Sequence, residues 1–414
     1  MRIRTAGVVA AAALMLFGGA ACGSKKSGGD KPAAKTGGTL VIWADDKRAA
    51  ALTPFADRFG AENGLTVKVQ AVSKELQTNF LTASQSGKAP DIVVGAHDWI
   101  GNLVANGAID PVQLSASQKS AFSEQSITAV TAGGQLYGVP YAIENLALIR
   151  NTALAPAAPA TIEDLVATGK KLKTDGKVSE IMSLQVGQNG DAYHVYPLYT
   201  SAGGYLFGTK AGGDYDPKDL GVGKPEAQAA FAKIAALGEK GEGALKRSIG
   251  SDNAISTFTS GKAAYLVSGP WAITDIKKAG LSYDVSPIPG FAGGKPAQPF
   301  VGVQAFYVAS KGKNKAVAQE FVANYLTRTD LAKALYQAEP RPPALTAALD
   351  AVKGDDPDVQ KFLDAGRNGA ILPAIPEMAT IWDPFGKAEA AVVGGADVPS
   401  TVQAAAKTIA DQIK

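Results

Sequence analysis

Residues 39–106 read TLVIWADDKRAAALTPFADRFGAENGLTVKVQAVSKELQTNFLTASQSGKAPDIVVGAHDWIGNLVAN, and this stretch decides the fold. Thr39 to Trp43 is a short apolar run with β-branched residues, which predicts a buried strand. Residues 48–62 read as a helix, with Pro54 blurring its start. Leu65 to Val72 alternates through Leu65, Val67 and Val69, as a half-buried strand does. Lys74 to Ser86 reads as a helix, Pro90 to Gly95 as a third strand, and His97 to Asn106 as a third helix. Strand, helix, strand, helix, strand is an α/β order and predicts a mostly parallel sheet.

The alternation continues downstream. Asn145 to Arg150 is a predicted strand, and Thr161-Ile162-Glu163-Asp164 opens a helix that runs to about Thr174. Thr161 can cap its free amides, and acidic residues in the first turn suit the helix dipole. Further helices are predicted at 225–240, 252–260, 272–279, 315–326, 329–337, 376–393 and 400–413. Strands are predicted at 181–185, 263–267, 283–287 and 303–309. A chain of 414 residues exceeds one ordinary core, so two α/β lobes are expected.

The N-terminus carries an export pattern. Arg2 and Arg4 precede the apolar run Ala6 to Phe17, and Gly18-Gly19-Ala20-Ala21 leads to Cys22, the single cysteine. The apolar run is far short of the roughly 20 residues a spanning helix needs, so residues 1–21 read as a signal peptide. One cysteine excludes an intrachain disulfide. Its place resembles the lipobox of bacterial lipoproteins, in which the cysteine is lipidated, although Gly19 stands where an aliphatic residue is usual. Residues 22–38 are rich in Gly, Ser and Lys without apolar periodicity and read as a flexible tether behind that anchor.

Charge and motifs exclude several classes. Removing Arg2 and Arg4 takes 41 basic residues to 39 against 38 acidic, which leaves +1 and no case for nucleic acid. The two histidines, His97 and His194, lie far apart and read as structural hydrogen-bonding residues. The sequence holds no Gly-x-Ser-x-Gly, no phosphate-binding Gly-x-x-x-x-Gly-Lys-Ser/Thr and no His-Glu-x-x-His. Two carboxylates could make a glycosidase, but among 38 acidic residues some pair always exists. The reading is therefore a binding protein without catalytic residue, metal or cofactor.

What remains is a set of aromatics beside polar residues at predicted element ends. They are Trp43 before Asp45-Asp46-Lys47, His97-Asp98-Trp99, Glu144-Asn145, Tyr193 and Tyr196 around His194, Gly269-Pro270-Trp271, and Trp382-Asp383. A pyranose lays its C–H faces on aromatic rings, and its hydroxyls donate to carboxylates in charge-assisted bonds. Ligands of open α/β sheets collect at strand ends.

The ordered segments Leu40-Val41-Ile42-Trp43, Pro90-Asp91-Ile92 with Ala96-His97-Asp98, Gly138 to Glu144, Gly203-Gly204-Tyr205, Gly269-Pro270-Trp271-Ala272, Pro299 to Val303, Asn324-Tyr325-Leu326 and Ile375-Pro376 with Met378 carry a resemblance. The chain resembles the extracellular solute-binding proteins of carbohydrate ABC importers, and within them the maltose/maltodextrin-binding branch, over nearly all of 39–414. The resemblance implies a periplasmic-binding-protein-like (type II) fold with two lobes around a hinged cleft. Lobe one would hold 39–142 and 303–352, and lobe two 148–299 and 357–414, with crossovers at 143–147, 300–302 and 353–356.

It also implies ligand-binding roles for Asp46, Lys47, Asp98, Glu144, Tyr193, Trp271 and Trp382, with Asp191 in place of a Glu. Gly95 replaces a family Trp and Trp99 a family Arg, so Trp99 is expected to supply the missing ring. Asp383 and Gly386 replace a Tyr and an Arg. The implied protein is a monomer on the outer face of the cell membrane. It would bind a maltodextrin and deliver it to ABC permease subunits by hinge closure. Another oligosaccharide (cyclodextrin, trehalose or an α-galactoside) and a secreted glycosidase are the alternatives.

Overall fold

The computed structural model describes residues 38–211 and 214–413. The signal segment, Cys22 and the tether up to residue 37 lie outside the described residues. No helix among the described residues is long and apolar enough to cross a membrane.

The opening stretch folds as β1 (Thr39–Ala44), α1 (Asp46–Asn63), β2 (Thr66–Ala71), α2 (Leu76–Gln85), β3 (Ile92–Ala96) and α3 (Trp99–Ala105). Five further strands organise the rest: β4 (Gly138–Asn145), β5 (Ala147–Asn151), β6 (Tyr265–Ser268), β7 (Tyr283–Ser286) and β8 (Phe300–Ala309). β1 pairs in parallel with β2 and β3, as helical crossovers require. The sheet as a whole is mixed, which corrects the expectation of a mostly parallel one. β8 runs antiparallel to β3 and to β4. It enters this sheet from the other lobe and not by a local β-α-β crossover, so the rule that makes β1 to β3 parallel does not bind it.

The second sheet has the order β7, β5, β6 and the two-residue strand Ser183–Leu184. β5 is antiparallel to both neighbours. Its side chains alternate. Leu148 faces one apolar core, while Ala147 and Ile149 face another, so helices cover both sheet faces.

Two large apolar cores, with a smaller one behind β5, organise the lobes. The first joins Leu40, Ile42, Val94, Phe306 and Val308 with Leu52 and Phe59 of α1. The second joins Leu148, Val195, Tyr199, Phe231, Phe385 and Ile409. β4 and β8 pass between them: Val301 belongs to the first core and Phe300, one residue earlier, to the second.

Local chemistry sets several boundaries. The predicted helix 376–393 divides into a 3-10 turn, Pro376–Thr380, and a helix, Trp382–Val393, that Trp382 opens. The run 315–326 begins as a helix, Lys315–Glu320, and loosens into a π-helical turn, Phe321–Tyr325. Sequence reading missed the helix Ala192–Ser201, whose interior contains Pro197. It also missed the hairpin Phe207–Thr209 with Tyr215–Leu220 and the helices Thr346–Asp355 and Asp358–Ala365.

Thr161 caps its helix as expected. Its hydroxyl accepts from the Asp164 N–H at 3.1 Å, and the Asp164 carboxylate accepts from the Thr161 N–H at 3.1 Å. Thr161→Ala should therefore lower unfolding stability by about 1 kcal/mol. Urea unfolding with an unchanged denaturant slope checks this, and an unchanged midpoint would contradict it.

Candidate functional site

β4 and β8 place Glu144 opposite Gly302. Beside that pair opens a cleft of about 410 Å³. One wall comes from the first lobe, with Gln77, Ala96, Asp98 and Trp99. Tyr193, Leu372 and Trp382 form the facing wall, and Glu144 and Gly302 lie where the strands pass.

Glu144 is a buried carboxylate. Gln304 Nε2 donates to its Oε1 at 2.9 Å, and Arg341 pairs with its Oε2. Burial opposes the charge. The Arg341 guanidinium and the Gln304 amide outweigh it, with help from Arg48, and hold the carboxyl below its ordinary value. Arg341 lies 5.2 Å from the centroid of the Trp271 ring, a cation–π arrangement. It also meets Glu339, whose other neighbour is Arg48 at 3.8 Å, and Arg48 pairs with Asp45 at 2.8 Å. The result is an alternating chain of charges from the start of α1 to the cleft.

Asp98 begins α3 and lines the cleft half-buried. Burial pushes its carboxyl up to about 7; its own backbone N–H pulls down, the Glu144 charge pushes up, and the Trp382 indole pulls down. His97, next to it, is fully buried. Its Nδ1 accepts from the Val303 N–H at 3.0 Å, and its Nε2 faces the Leu372 carbonyl at 2.9 Å. That pattern fixes a neutral ring protonated on Nε2. Burial drops its pKa to about 4, against the opposing pull of the Leu372 carbonyl. His97 thus ties β8 to the segment that carries Leu372.

Trp99 lies across Gly95. A Cβ on residue 95 would sit 2.0 Å from Trp99 Cζ3, so glycine there is a condition for the ring's position. Gly269 stands in the same relation to Trp271, at 2.1 Å. A Trp at 95 and the Trp99 ring in this pose exclude one another.

The helix Ala192–Ser201 presents Tyr193. Its ring stacks on Phe300 at 6.1 Å and lies 6.4 Å from Trp271. The Tyr193 hydroxyl is buried without a hydrogen-bond partner among the described residues. Asp191 is the N-cap of that helix. Its Oδ1 accepts from the His194 N–H at 2.9 Å and faces His194 Nδ1 at 3.0 Å, and its Oδ2 accepts from Gln185.

Of the residues singled out from sequence, the structure gathers Asp98, Trp99, Glu144, Tyr193 and Trp382 on one cleft. Trp271 stands behind it, against Arg341 and Tyr193. Asp191 is occupied by its own helix. Asp46 and Lys47 open α1 and are not among the residues that line this cleft; Asp46 accepts from the Ser73 hydroxyl at 2.5 Å. Gln77, Leu372, Gln304 and Arg341 were not singled out. For Arg341 a signal existed: Glu339-Pro340-Arg341-Pro342-Pro343 is a charged pair inside a proline segment that cannot be helical.

Sequence comparison adds a family to this geometry. A profile of the bacterial extracellular solute-binding proteins matches residues 55–361. The chain belongs to this family. The galactooligosaccharide-binding protein of Bacillus subtilis (strain 168) is 30% identical over 399 residues, covering 92% of this chain and 91% of that protein. A maltooligosaccharide ABC transporter solute-binding lipoprotein of Streptococcus pneumoniae (strain ATCC BAA-255 / R6) is 29% identical, covering 83% of this chain and 81% of its own length. The maltodextrin-binding protein MdxE of Bacillus subtilis (strain 168) is 28% identical, covering 92% and 91%. A solute-binding protein holds its ligand and breaks no bond in it. This one is not an enzyme, and Asp98 and Glu144 are not a catalytic pair. An extracellular family also puts the protein outside the cytoplasm.

Two neighbouring groups give stability opposite pH slopes. His97 in the folded chain resists the proton that the unfolded chain accepts, so its contribution is lost as pH falls from about 6.5 toward 4. Asp98 in the folded chain keeps a proton that the unfolded chain has shed, so its contribution is lost as pH rises from about 4 to 7. Asp98→Asn removes only the second slope. The stability of the ligand-free variant should rise more steeply with pH across this window than that of wild type, as denaturant titration at several pH values would record. Parallel pH profiles would contradict these assignments.

Proposed function

We propose that this solute-binding protein captures a maltodextrin and delivers it to the permease of an ABC importer, from a lipid anchor at Cys22. The carrying observation is the convergence of Asp98 and Glu144 with the rings of Trp99, Tyr193 and Trp382 on one cleft. Rings supply flat apolar area for pyranose faces, and carboxylates accept from the hydroxyls that fan out from the ring edge. The unpartnered Tyr193 hydroxyl adds a buried donor and acceptor that a sugar hydroxyl would satisfy. The maltooligosaccharide- and maltodextrin-binding relatives support the same ligand class.

In this reading the lobes are 39–142 with 303–352 and 148–299 with 357–414. The chain crosses between them at 143–147, 300–302 and 353–356. A ligand that touches both walls binds the closed form better and shifts the hinge equilibrium toward it. The permease then recognises the closed protein.

A galacto-oligosaccharide is the second reading, favoured by the 30% identical relative. A thermal-shift panel separates the two. A true ligand at a hundredfold excess over its Kd stabilises by about 2.7 kcal/mol. Maltose to maltotetraose should shift unfolding upward and remain unhydrolysed. Shifts from galacto-oligosaccharides alone would give the site to the second reading, and release of glucose would overturn both. Trp382→Ala should weaken maltotriose roughly tenfold or more in calorimetry while the fold persists. Unchanged affinity would show that the ring does not carry the sugar.

A further inference from the structure

We propose that Asp356 is a pin across the third crossover, holding the lobes in the arrangement that forms the cleft. This deepens the reading of the cleft as the solute site by naming a residue that tunes it from outside. Asp356 follows the helix Thr346–Asp355 and precedes the helix Asp358–Ala365. The first of these helices contributes Ala348 to the first core. The second contributes Phe362 and Ala365 to the cluster behind β5 and β6. Asp356 therefore stands where the chain leaves one lobe for the other.

Its carboxylate holds one donor from each side. Oδ2 accepts from the Tyr336 hydroxyl at 2.8 Å and from Lys277 Nζ at 2.9 Å. Tyr336 lies on the helix Thr329–Ala338, whose Leu331, Ala332 and Leu335 belong to the first core. Lys277 lies on the helix Ile273–Lys278, whose Ile273 and Ile276 pack behind β6. Oδ1 accepts from the Asp358 N–H at 3.1 Å, which fixes the carboxylate's direction. Lys277 also reaches Asp358 at 3.4 Å.

A rigid-body swing of one lobe moves Tyr336 relative to Lys277, and both bonds cannot survive a large one. The arrangement they fit is the one in which Asp98 and Trp382, from opposite walls, line one cleft. The pin thus favours the cleft-forming arrangement and raises the population competent to hold a bridging ligand. Apparent affinity scales with that population.

The test is electron–electron distance spectroscopy on the mature chain. Labels are carried by Lys119→Cys and Lys240→Cys, one exposed position in each lobe, in a Cys22→Ser background. The ligand-free Asp356→Ala variant should show a shifted and broader interlobe distance distribution. Its maltotriose affinity should fall roughly threefold to tenfold although no cleft residue is altered. Tyr336→Phe, which deletes a single oxygen, should shift the distribution in the same direction and decides the matter if Asp356→Ala unfolds. Distributions superimposable on wild type in both variants would overturn the pin. Failure of wild type to bind maltotriose would count against the sugar reading alone, since the ligand-free distances still decide the pin.

Discussion

A charge taken out of water persists only where opposite charge and hydrogen bonds replace its hydration, and Glu144 meets that condition at the centre of this molecule. Arg341 and Gln304 supply the replacement. Gln304 comes from β8, the partner strand. Arg341 comes from the proline segment that runs beside β4, where the Ile143 N–H donates to the Pro342 carbonyl at 2.8 Å. Removing Arg341 would leave a buried anion behind, a loss of roughly 3–5 kcal/mol for pairs of this kind. The ion pair therefore fixes the proline segment, the crossing strands and the Trp271 ring in one arrangement.

From that centre the cleft follows by steric fit. Gly302 leaves room for the Glu144 side chain, and Gly95 leaves room for Trp99. Phe300 stacks on Tyr196 at 3.7 Å and stands edge-on to Trp382 at 6.2 Å. The residue that begins β8 thereby positions the second wall, while the residues after it complete the first. The lining of the cleft and the packing of both cores share the same two strands.

Much of the architecture was legible because periodicity is local. The first three strands and helices and the Thr161 cap each lie within a window of a few residues. What was hidden depends on distance along the chain. The antiparallel course of β8 is set by the lobe it arrives from, more than 200 residues after β3, and no local pattern encodes that. The helix Ala192–Ser201 was obscured by Pro197 and by aromatics that read equally well as loop or strand.

Site chemistry divided along the same line. Asp98, Trp99, Glu144, Tyr193 and Trp382 stood out by residue type at element ends. Arg341 did not, because its meaning lies in a partner 197 positions away. Asp191 shows the converse: the family resemblance offers it as a ligand contact, and in the structure its carboxylate caps a helix N-terminus. Asp46 and Lys47 likewise belong to the first turn of α1, with Asp45 capping it.

In the proposed function Glu144 and Asp98 receive a sugar between two aromatic walls. A crystal structure of the protein with maltotriose tests this most directly. Glucose rings should lie in the cleft, with one ring on Trp382, hydroxyls within hydrogen-bond distance of both carboxylates, and contacts from both lobes. Maltotriose bound elsewhere, or held by one lobe with Glu144 and Asp98 untouched, would contradict it.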